Sequence, residues 1–329
     1  MYPSGRVAFV ILLLAATFAE ISHSSLFAPP ALGRDTPPPQ AVLSERTRLV
    51  VVPVSVTDRN GHFVLGLKQS NFEVYENGKP QEIVIFRDTD MPVTVAIVVD
   101  HSGSMAAKSR DVIQGATALV EASNPADKEF VVNFGSKPSL GLPPDVPFTS
   151  NVDELKRALS TPSASGLTAL YDAMVLALQH FQGNPVDKRV MLLISDGGDN
   201  ASTYKFGEVL RMAEAANVII YPIGLLDPLS ADQNPNVLRK FARETGGEAY
   251  FPNSTVEVVS TCIAIATDIR HQYTLGYTPP QSGKNRYRSI RVAVHAPGRG
   301  RLFVRARKGY SLPVDSSEGT DDTSTQGHQ

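Results

Sequence analysis

The sequence has little of several features that define whole classes of protein. Its 329 residues include one cysteine and no tryptophan, and the formal net charge is −2. A single cysteine excludes an intrachain disulfide framework and any pair of cysteines that binds a metal or carries redox chemistry. The slight acidic excess argues against a dedicated nucleic-acid-binding protein, because such proteins need positive charge to neutralise phosphates. The chain must therefore be stabilised by burial of apolar side chains, for which 42% hydrophobic residues suffice.

Long apolar runs are also absent, with one exception at the start of the chain. Residues 1–24 contain one basic residue, Arg6, then an apolar run over 7–16 and then small residues. The run is too short to span the roughly 30 Å of a bilayer core comfortably, and this order is typical of a secretory signal peptide. We expect an exported protein, periplasmic or extracellular, and the single cysteine favours a bacterial envelope. An uncleaved anchor and a buried helix or strand are the alternatives.

Composition and hydrophobic periodicity divide the rest of the chain into five segments. The predicted boundaries are 25–46 for a proline-rich linker, 47–90 for the N-terminal part of a β domain, 91–270 for an α/β domain, 271–312 for the C-terminal part of the β domain and 313–329 for a disordered acidic tail. Proline denies the linker both helix and ladder hydrogen bonds. Each β part is small for an independent domain, so we expect the two to fold together around the inserted α/β domain.

The middle segment alternates apolar runs with amphipathic stretches. The predicted strands are 93–100, 130–134, 189–195 and 218–224, and the predicted helices are 108–123, 152–160, 169–182, 204–216, 235–245 and 255–269. Strands that are apolar on both faces are typical of a parallel sheet covered by helices. The fold class is therefore α/β: a doubly wound, mainly parallel, Rossmann-like sheet, inserted between β segments that form a second, antiparallel β domain. In those segments the predicted strands are 49–58, 63–67, 71–78, 82–88, 273–278, 287–296 and 301–309.

Three loops of the predicted sheet carry oxygen-bearing side chains. One strand ends at Asp100, with Ser102 and Ser104 just beyond it; another ends before Asp196; and Thr168 lies in a loop that opens a helix. Ligands of open α/β sheets bind at the carboxyl ends of the parallel strands, where these loops meet. An all-oxygen donor set suits a hard divalent cation, Mg²⁺ first, with Mn²⁺ or Ca²⁺ as alternatives.

The same five residues resemble a known motif. They form the patterns Asp-x-Ser-x-Ser at Asp100, Ser102 and Ser104, Gly-x-Thr-Ala-Leu around Thr168 and Ser-Asp-Gly around Asp196. In order and placement they are similar to the metal-ion-dependent adhesion site of von Willebrand factor A (VWA) domains, over about residues 91–270. The flanking residues 58–83 and 307–310 are similar to an acidobacterial family of VWFA-related proteins that frame such a domain with β segments.

The resemblance implies which of the five residues would contact the metal directly and which would act through water. Ser102, Ser104 and Thr168 would contact the metal through their hydroxyls, whereas Asp100 and Asp196 would act mainly through water. Few charged groups then compensate the cation, so an Asp or Glu of a partner protein can complete its coordination. The implied function is that of an exported binding protein, not an enzyme.

Plainer interpretations exist for the same residues. Asp100 and Ser104 could cap the following helix, and Asp196 could serve a tight turn together with Gly197 and Gly198. Asp199 and Asn200 fit turn formation, with contact to the ligand as the alternative. Two other functions also stay open. A metal-free scaffold could bind through its β domain. A Mg²⁺-dependent phosphoryl-transfer hydrolase of the haloacid dehalogenase type would need a second acid two residues after the nucleophile, where a serine stands.

Basic residues crowd the end of the chain without an intervening acid. The run comprises Lys284, Arg286, Arg288, Arg291, Arg299, Arg301, Arg305, Arg307 and Lys308. We expect the solvated face of a β sheet, which protects an edge against aggregation. The alternative is contact with an anionic envelope polymer or an acidic partner.

One glycine and one cysteine complete the expectations. Gly103 should let the loop approach the ion closely, and Cys262 should pack in the core.

Overall fold

The computed structural model describes residues 49–160, 166–183, 188–227, 232–280 and 286–312. All of them belong to one unit that spans residues 47–329. The predicted signal peptide, linker and acidic tail lie outside the described residues. Among the residues that are described, none belongs to a helix both long and apolar enough to cross a membrane.

Strands and helices follow one another along the chain in three zones. The strands are β1 (Val50–Thr57), β2 (Phe72–Glu76), β3 (Lys79–Gln81), β4 (Ile83–Arg87), β5 (Thr94–Asp100), β6 (Lys128–Phe134), β7 (Pro138–Leu140), β8 (Arg189–Ser195), β9 (Val218–Gly224), β10 (Tyr273–Tyr277), β11 (Tyr287–Val294), β12 (Phe303–Arg305) and β13 (Gly309–Ser311). The α-helices are α1 (Ser109–Glu121), α2 (Val152–Leu159), α3 (Leu170–His180), α4 (Phe206–Ala215), α5 (Pro235–Thr245) and α6 (Thr255–Arg270).

The α/β zone contains a five-stranded sheet in the order β7-β6-β5-β8-β9. The four long strands are parallel, and the short β7 is antiparallel at the edge. Their apolar runs are buried, as Ile97 and Leu192 are, both 0% exposed. The helices contact one another in two groups, α1 with α2 and α6, and α4 with α3 and α5. The predicted mainly parallel α/β fold is thereby confirmed.

The two flanking β zones fold together. They form two antiparallel four-stranded sheets in the orders β12-β1-β10-β4 and β13-β11-β2-β3. In the first, β1 of the early zone pairs with β10 and β12 of the late zone, and in the second β2 pairs with β11. Apolar residues of both zones, including Val52, Val54 and Leu275, share one buried core. The expectation of an antiparallel β domain assembled from both segments is confirmed.

One predicted strand, residues 63–67, does not form. Gly66 has a φ of +74°, which interrupts an extended chain. The Tyr273 hydroxyl donates to the backbone carbonyl of Val64 at 2.8 Å and accepts the Leu67 amide at 3.1 Å. A side chain therefore satisfies the backbone groups that a neighbouring strand would otherwise pair.

The basic run is not uniformly a solvated face, and that expectation is wrong for three of its members. Arg288 and Arg307 are 5% and 8% exposed, and Arg305 is half-buried. Arg288 pairs with the buried Glu76 at 2.7 Å, and Arg305 pairs with the buried Asp268. The guanidinium groups of Arg288 and Arg305 therefore meet internal carboxylates instead of solvent. The exposed members are Arg286, Arg291, Arg299, Arg301 and Lys308.

Candidate metal centre

Asp100 is the last residue of β5, at the carboxyl end of the parallel sheet. Its side chain is 2% exposed. One carboxylate oxygen accepts the Ser102 amide at 2.8 Å and the other accepts the Ser195 hydroxyl at 2.6 Å. Burial raises the pKa of Asp100, these hydrogen bonds oppose the rise, and the nearby charge of Asp196 adds to it. The site therefore begins with a buried carboxyl group held by neutral donors.

Asp196 follows the neighbouring strand β8 and is also 2% exposed. Its Oδ2 accepts the Ser104 hydroxyl at 2.8 Å, and its Oδ1 accepts the Gly198 amide at 2.9 Å. The hydroxyl oxygens of Ser102 and Ser104 lie 3.3 Å apart. Hydrogen bonds thus link four of the five residues singled out from the sequence, although they are up to 96 positions apart in the chain.

Thr168 lies in the loop before α3 and is 7% exposed. Its amide donates to the side-chain oxygen of Asn200 at 2.8 Å, and its carbonyl accepts the amides of Asn200 and Ala201 at 3.0 and 3.1 Å. Thr168 is therefore attached to the loop of Asp196 through its own backbone groups, which bond Asn200 and Ala201. The sequence predicted a turn-forming role for Asn200, with ligand contact as the alternative, and no bond to Thr168; an amide side chain just beyond the Ser-Asp-Gly turn was the available signal.

Glycine is required in the turn after Asp196 but not at 103. Gly197 has a φ of +85°, and a Cβ there would lie 2.4 Å from the Asn234 carbonyl oxygen. A Cβ at Gly198 would lie 2.8 Å from the Asp232 carbonyl oxygen. A Cβ at Gly103 would meet nothing within 4 Å, so the structure gives no steric reason for a glycine at that position.

The helix-capping interpretation of Asp100 and Ser104 is wrong. The chain beyond Asp100 enters a 3-10 turn over Gly103–Lys108, and α1 begins only at Ser109. The residue before that helix is Lys108, and no side chain caps it there. Ser104 directs its hydroxyl to Asp196 instead. Both side chains are thus available to a site at the sheet edge.

The electrostatics of this cluster fit a divalent cation. Asp100 and Asp196 are both buried, and within the described ranges no lysine, arginine or histidine forms an ion pair with either. Buried carboxylates are ordinarily paired or coordinate metals. Across the described residues there is also no group of three or more His, Cys, Asp or Glu side chains that could hold a metal. A cation here would therefore need the serine and threonine hydroxyls as well, a hard-oxygen donor set.

Comparison with known proteins identifies the domain. Residues 95–198 match the sequence model of the von Willebrand factor type A domain. The match includes all five residues singled out from the sequence, and the chain therefore contains a von Willebrand factor type A domain. No curated protein matches the sequence.

Comparison with solved structures gives matches at low sequence identity. A von Willebrand factor type A protein from Catenulispora acidiphila is 13% identical over 72% of this chain and 71% of its own, with a TM-score of 0.50. An aerotolerance-related membrane protein from Bacteroides fragilis is 19% identical over 54% of this chain and 98% of its own, with a TM-score of 0.43. Proximal thread matrix protein 1 of the mussel byssus, with a zinc-occupied MIDAS motif, is 19% identical over 61% of this chain and 50% of its own, with a TM-score of 0.47. At 13% identity, the likeness to the Catenulispora acidiphila protein concerns the fold alone.

Proposed function

We propose that the sheet edge at Asp100 and Asp196 binds a divalent cation and through it holds a partner protein. The observation that carries this proposal is the pair of buried carboxylates, linked by hydrogen bonds through Ser102 and Ser104 and lacking a basic partner among the described residues. Two such groups side by side repel each other, and a cation would relieve that repulsion. Hard oxygen donors favour Mg²⁺ first, then Mn²⁺ or Ca²⁺.

The donor residues divide into two kinds. The hydroxyls of Ser102, Ser104 and Thr168 would hold the ion directly, and Asp100 and Asp196 would hold it mainly through water. When bound, the cation supplies positive charge that can accept a carboxylate oxygen. Because its direct protein ligands would be neutral, an Asp or Glu exposed on the partner is the group best suited to complete the coordination. We propose a binding protein that is exported to the periplasm or beyond, as its N-terminal sequence suggests.

The donor set also argues against the hydrolase alternative. That chemistry needs an acid two residues after the strand-end aspartate, to serve as general acid and base. Ser102 occupies this position, and its amide and hydroxyl bond within the site. VWA domains are in general interaction modules, which agrees with a binding function for this one.

Metal binding is the first test. We expect calorimetry to show Mg²⁺ or Mn²⁺ binding to the mature protein and weaker binding to Thr168→Val, which removes the hydroxyl but keeps the backbone bonds to Asn200. Asp196→Asn should weaken binding as well. Thr203→Val, an exposed change further along the Asp196 loop, is the matched control and should bind as the wild type does. Equal affinity in all four proteins would overturn the metal site.

Partner binding is the second test. Wild-type protein immobilised on a resin should retain its partner from envelope extract in Mg²⁺ and release it on chelation. The Thr168→Val protein should retain much less, and Thr203→Val should match the wild type. If one protein is retained equally by all three, with and without chelator, the metal-mediated mechanism is wrong even where the metal itself binds.

A further inference from the structure

Arg307 is a buried arginine whose guanidinium group makes no hydrogen bond or ion pair within the described part of the chain. It lies between β12 and β13 and is 8% exposed. Its Nε is fully buried without a hydrogen bond. The ring of Tyr310 lies 5.4 Å from ring centre to guanidinium carbon, and the charge of Glu214 acts on the guanidinium without forming an ion pair with it. Arg288 and Arg305 of the same basic run each meet a buried carboxylate. Arg307 is therefore exceptional, because a buried charge without a partner is costly.

The same arginine lines a cleft of about 560 Å³. The cleft lies between the β domain and the end of α4, and its volume is in the range of small-molecule sites, roughly 300–1,000 Å³. Its apolar walls include Val51, Ile85 and Leu312, and Tyr310 adds an aromatic surface. Such walls suit the apolar body of a ligand, and the Arg307 guanidinium can bind a polar group at one end of that ligand.

The charged groups of the cleft favour an anion. Arg189 also lines it but has bonds of its own, one of them to the Ala216 carbonyl at 3.4 Å, and Glu214 is the acid among the lining residues. Glu214 is 7% exposed and accepts the Ser311 hydroxyl at 3.0 Å. Burial raises the pKa of Glu214, with the charge of Glu244 adding to the rise while Ser311, Arg307 and Arg211 oppose it. Burial thus disfavours the ionised form of the acid beside Arg307, which leaves the guanidinium of Arg307 to attract an anionic ligand.

We propose that this cleft binds a small organic carboxylate with an apolar body, its acid group on the guanidinium of Arg307. Arginine presents a planar fork that matches a carboxylate with two parallel hydrogen bonds. The ligand would supply the partner that the fold does not, while Val51, Ile85 and Leu312 would cover its apolar part. This site is separate from the proposed metal centre and does not depend on it.

Hexanoate is a suitable probe, because it combines the two recognised features. We expect hexanoate to bind the full chain in calorimetry and to raise its melting temperature, whereas hexanol, which lacks the acid, and phosphate, which lacks the apolar body, bind much more weakly. Arg307→Gln should lower hexanoate affinity about tenfold or more, since the charged pair is lost. Arg299→Gln, an exposed member of the same basic run, is the control and should leave the affinity unchanged.

Two further measurements separate binding from folding. Because its guanidinium makes no hydrogen bond or ion pair in the described residues, Arg307→Gln should melt no lower than Arg299→Gln. Ala215→Trp provides an independent variant, because this exposed residue lines the cleft and a large ring there would narrow it. The proposal is overturned if the wild type does not bind hexanoate, if phosphate binds as well as hexanoate does, or if both Arg307→Gln and Ala215→Trp bind hexanoate with wild-type affinity.

Discussion

Ser195 donates its hydroxyl hydrogen to Asp100 across the neighbouring strands β8 and β5, at 2.6 Å. Ser195 is completely buried, and its oxygen also accepts the Gly197 amide at 3.0 Å. One hydroxyl thus orients the carboxyl of Asp100 and the turn that carries Asp196. Sequence reasoning gave Ser195 no role, because its importance depends on a strand pairing that only the fold creates.

Ser195→Ala should weaken metal binding although Ser195 is not itself among the proposed ligands. Groups that orient metal ligands typically contribute about 10- to 100-fold to affinity, and we expect a loss of at least the lower figure. Calorimetry with Mn²⁺ measures it. Ser260→Ala, an exposed change on α6, is the control. Equal Mn²⁺ affinity in the two variants would show that the Ser195 bond does not position Asp100.

Asn200 should prove to be a positioning residue for Thr168. Asn200→Ala removes the side-chain oxygen that accepts the Thr168 amide, so we expect weaker Mn²⁺ binding. Asn200→Asp keeps an oxygen at that place and should restore much of the affinity. Calorimetry on both variants measures the Mn²⁺ affinity, and melting curves show whether either variant is also destabilised. If alanine and aspartate lower the affinity equally, the acceptor is not what matters at this position.

The long elements of the fold could be read from the sequence because their signals are local. Residues 189–195 and 218–224 form strands with the predicted bounds, since each is a continuous apolar run. The short strands β3 and β7 were not predicted. They span Lys79–Gln81 and Pro138–Leu140, have no alternating pattern, and are defined by backbone pairing with β2 and β6.

The candidate site was predictable to a similar degree. Motif spacing led to Asp100, Ser102, Ser104 and Asp196, which hydrogen bonds now link. The partners of the buried arginines were not predictable. Arg288 meets Glu76 across 212 positions of sequence, and no local pattern says which carboxylate a basic residue will find.

Glu129 should make stability fall as pH rises. Its side chain is 1% exposed, and one oxygen has no hydrogen-bond partner. Burial, with the charge of Asp127, raises the pKa of Glu129 from 4.5 to about 8, while Lys128 and Arg270 oppose the rise. Between these values the unfolded chain is ionised and the native protein keeps its proton. The native state then binds more protons, so the free energy of unfolding decreases with increasing pH in this window.

Glu129→Gln removes this dependence and provides the measurement. Urea unfolding at pH 5 and pH 8 measures this. Between the two pH values, the free energy of unfolding of the variant should rise by a few kcal/mol relative to that of the wild type, since each pKa unit is worth about 1.4 kcal/mol. Glu82→Gln, at an exposed site, should show no such gain. A Glu129→Gln protein that follows the wild type in parallel from pH 5 to pH 8 would mean that Glu129 ionises normally in the native state.

Asp268 should be the strongest single polar link between α6 and the β domain. It is 1% exposed and accepts the Ser55 hydroxyl of β1 at 2.6 Å and the Tyr221 hydroxyl of β9 at 2.7 Å, and it pairs with Arg305 of β12. Removing one partner of a buried ion pair leaves an uncompensated charge and typically costs about 3–5 kcal/mol. We expect a loss of this size for Asp268→Ala in urea unfolding.

A double-mutant cycle separates this pair from its surroundings. Arg305→Met removes the charge that Asp268→Ala leaves unpaired. The double variant should therefore lose about 1–3 kcal/mol less free energy of unfolding than the two single losses added together. Glu121→Ala is the control, since it breaks an exposed pair with Lys156 at 3.4 Å and should cost less than about 1 kcal/mol. If Asp268→Ala is no more destabilising than Glu121→Ala, or if the two losses at 268 and 305 simply add, the buried pair does not hold α6 to the β domain.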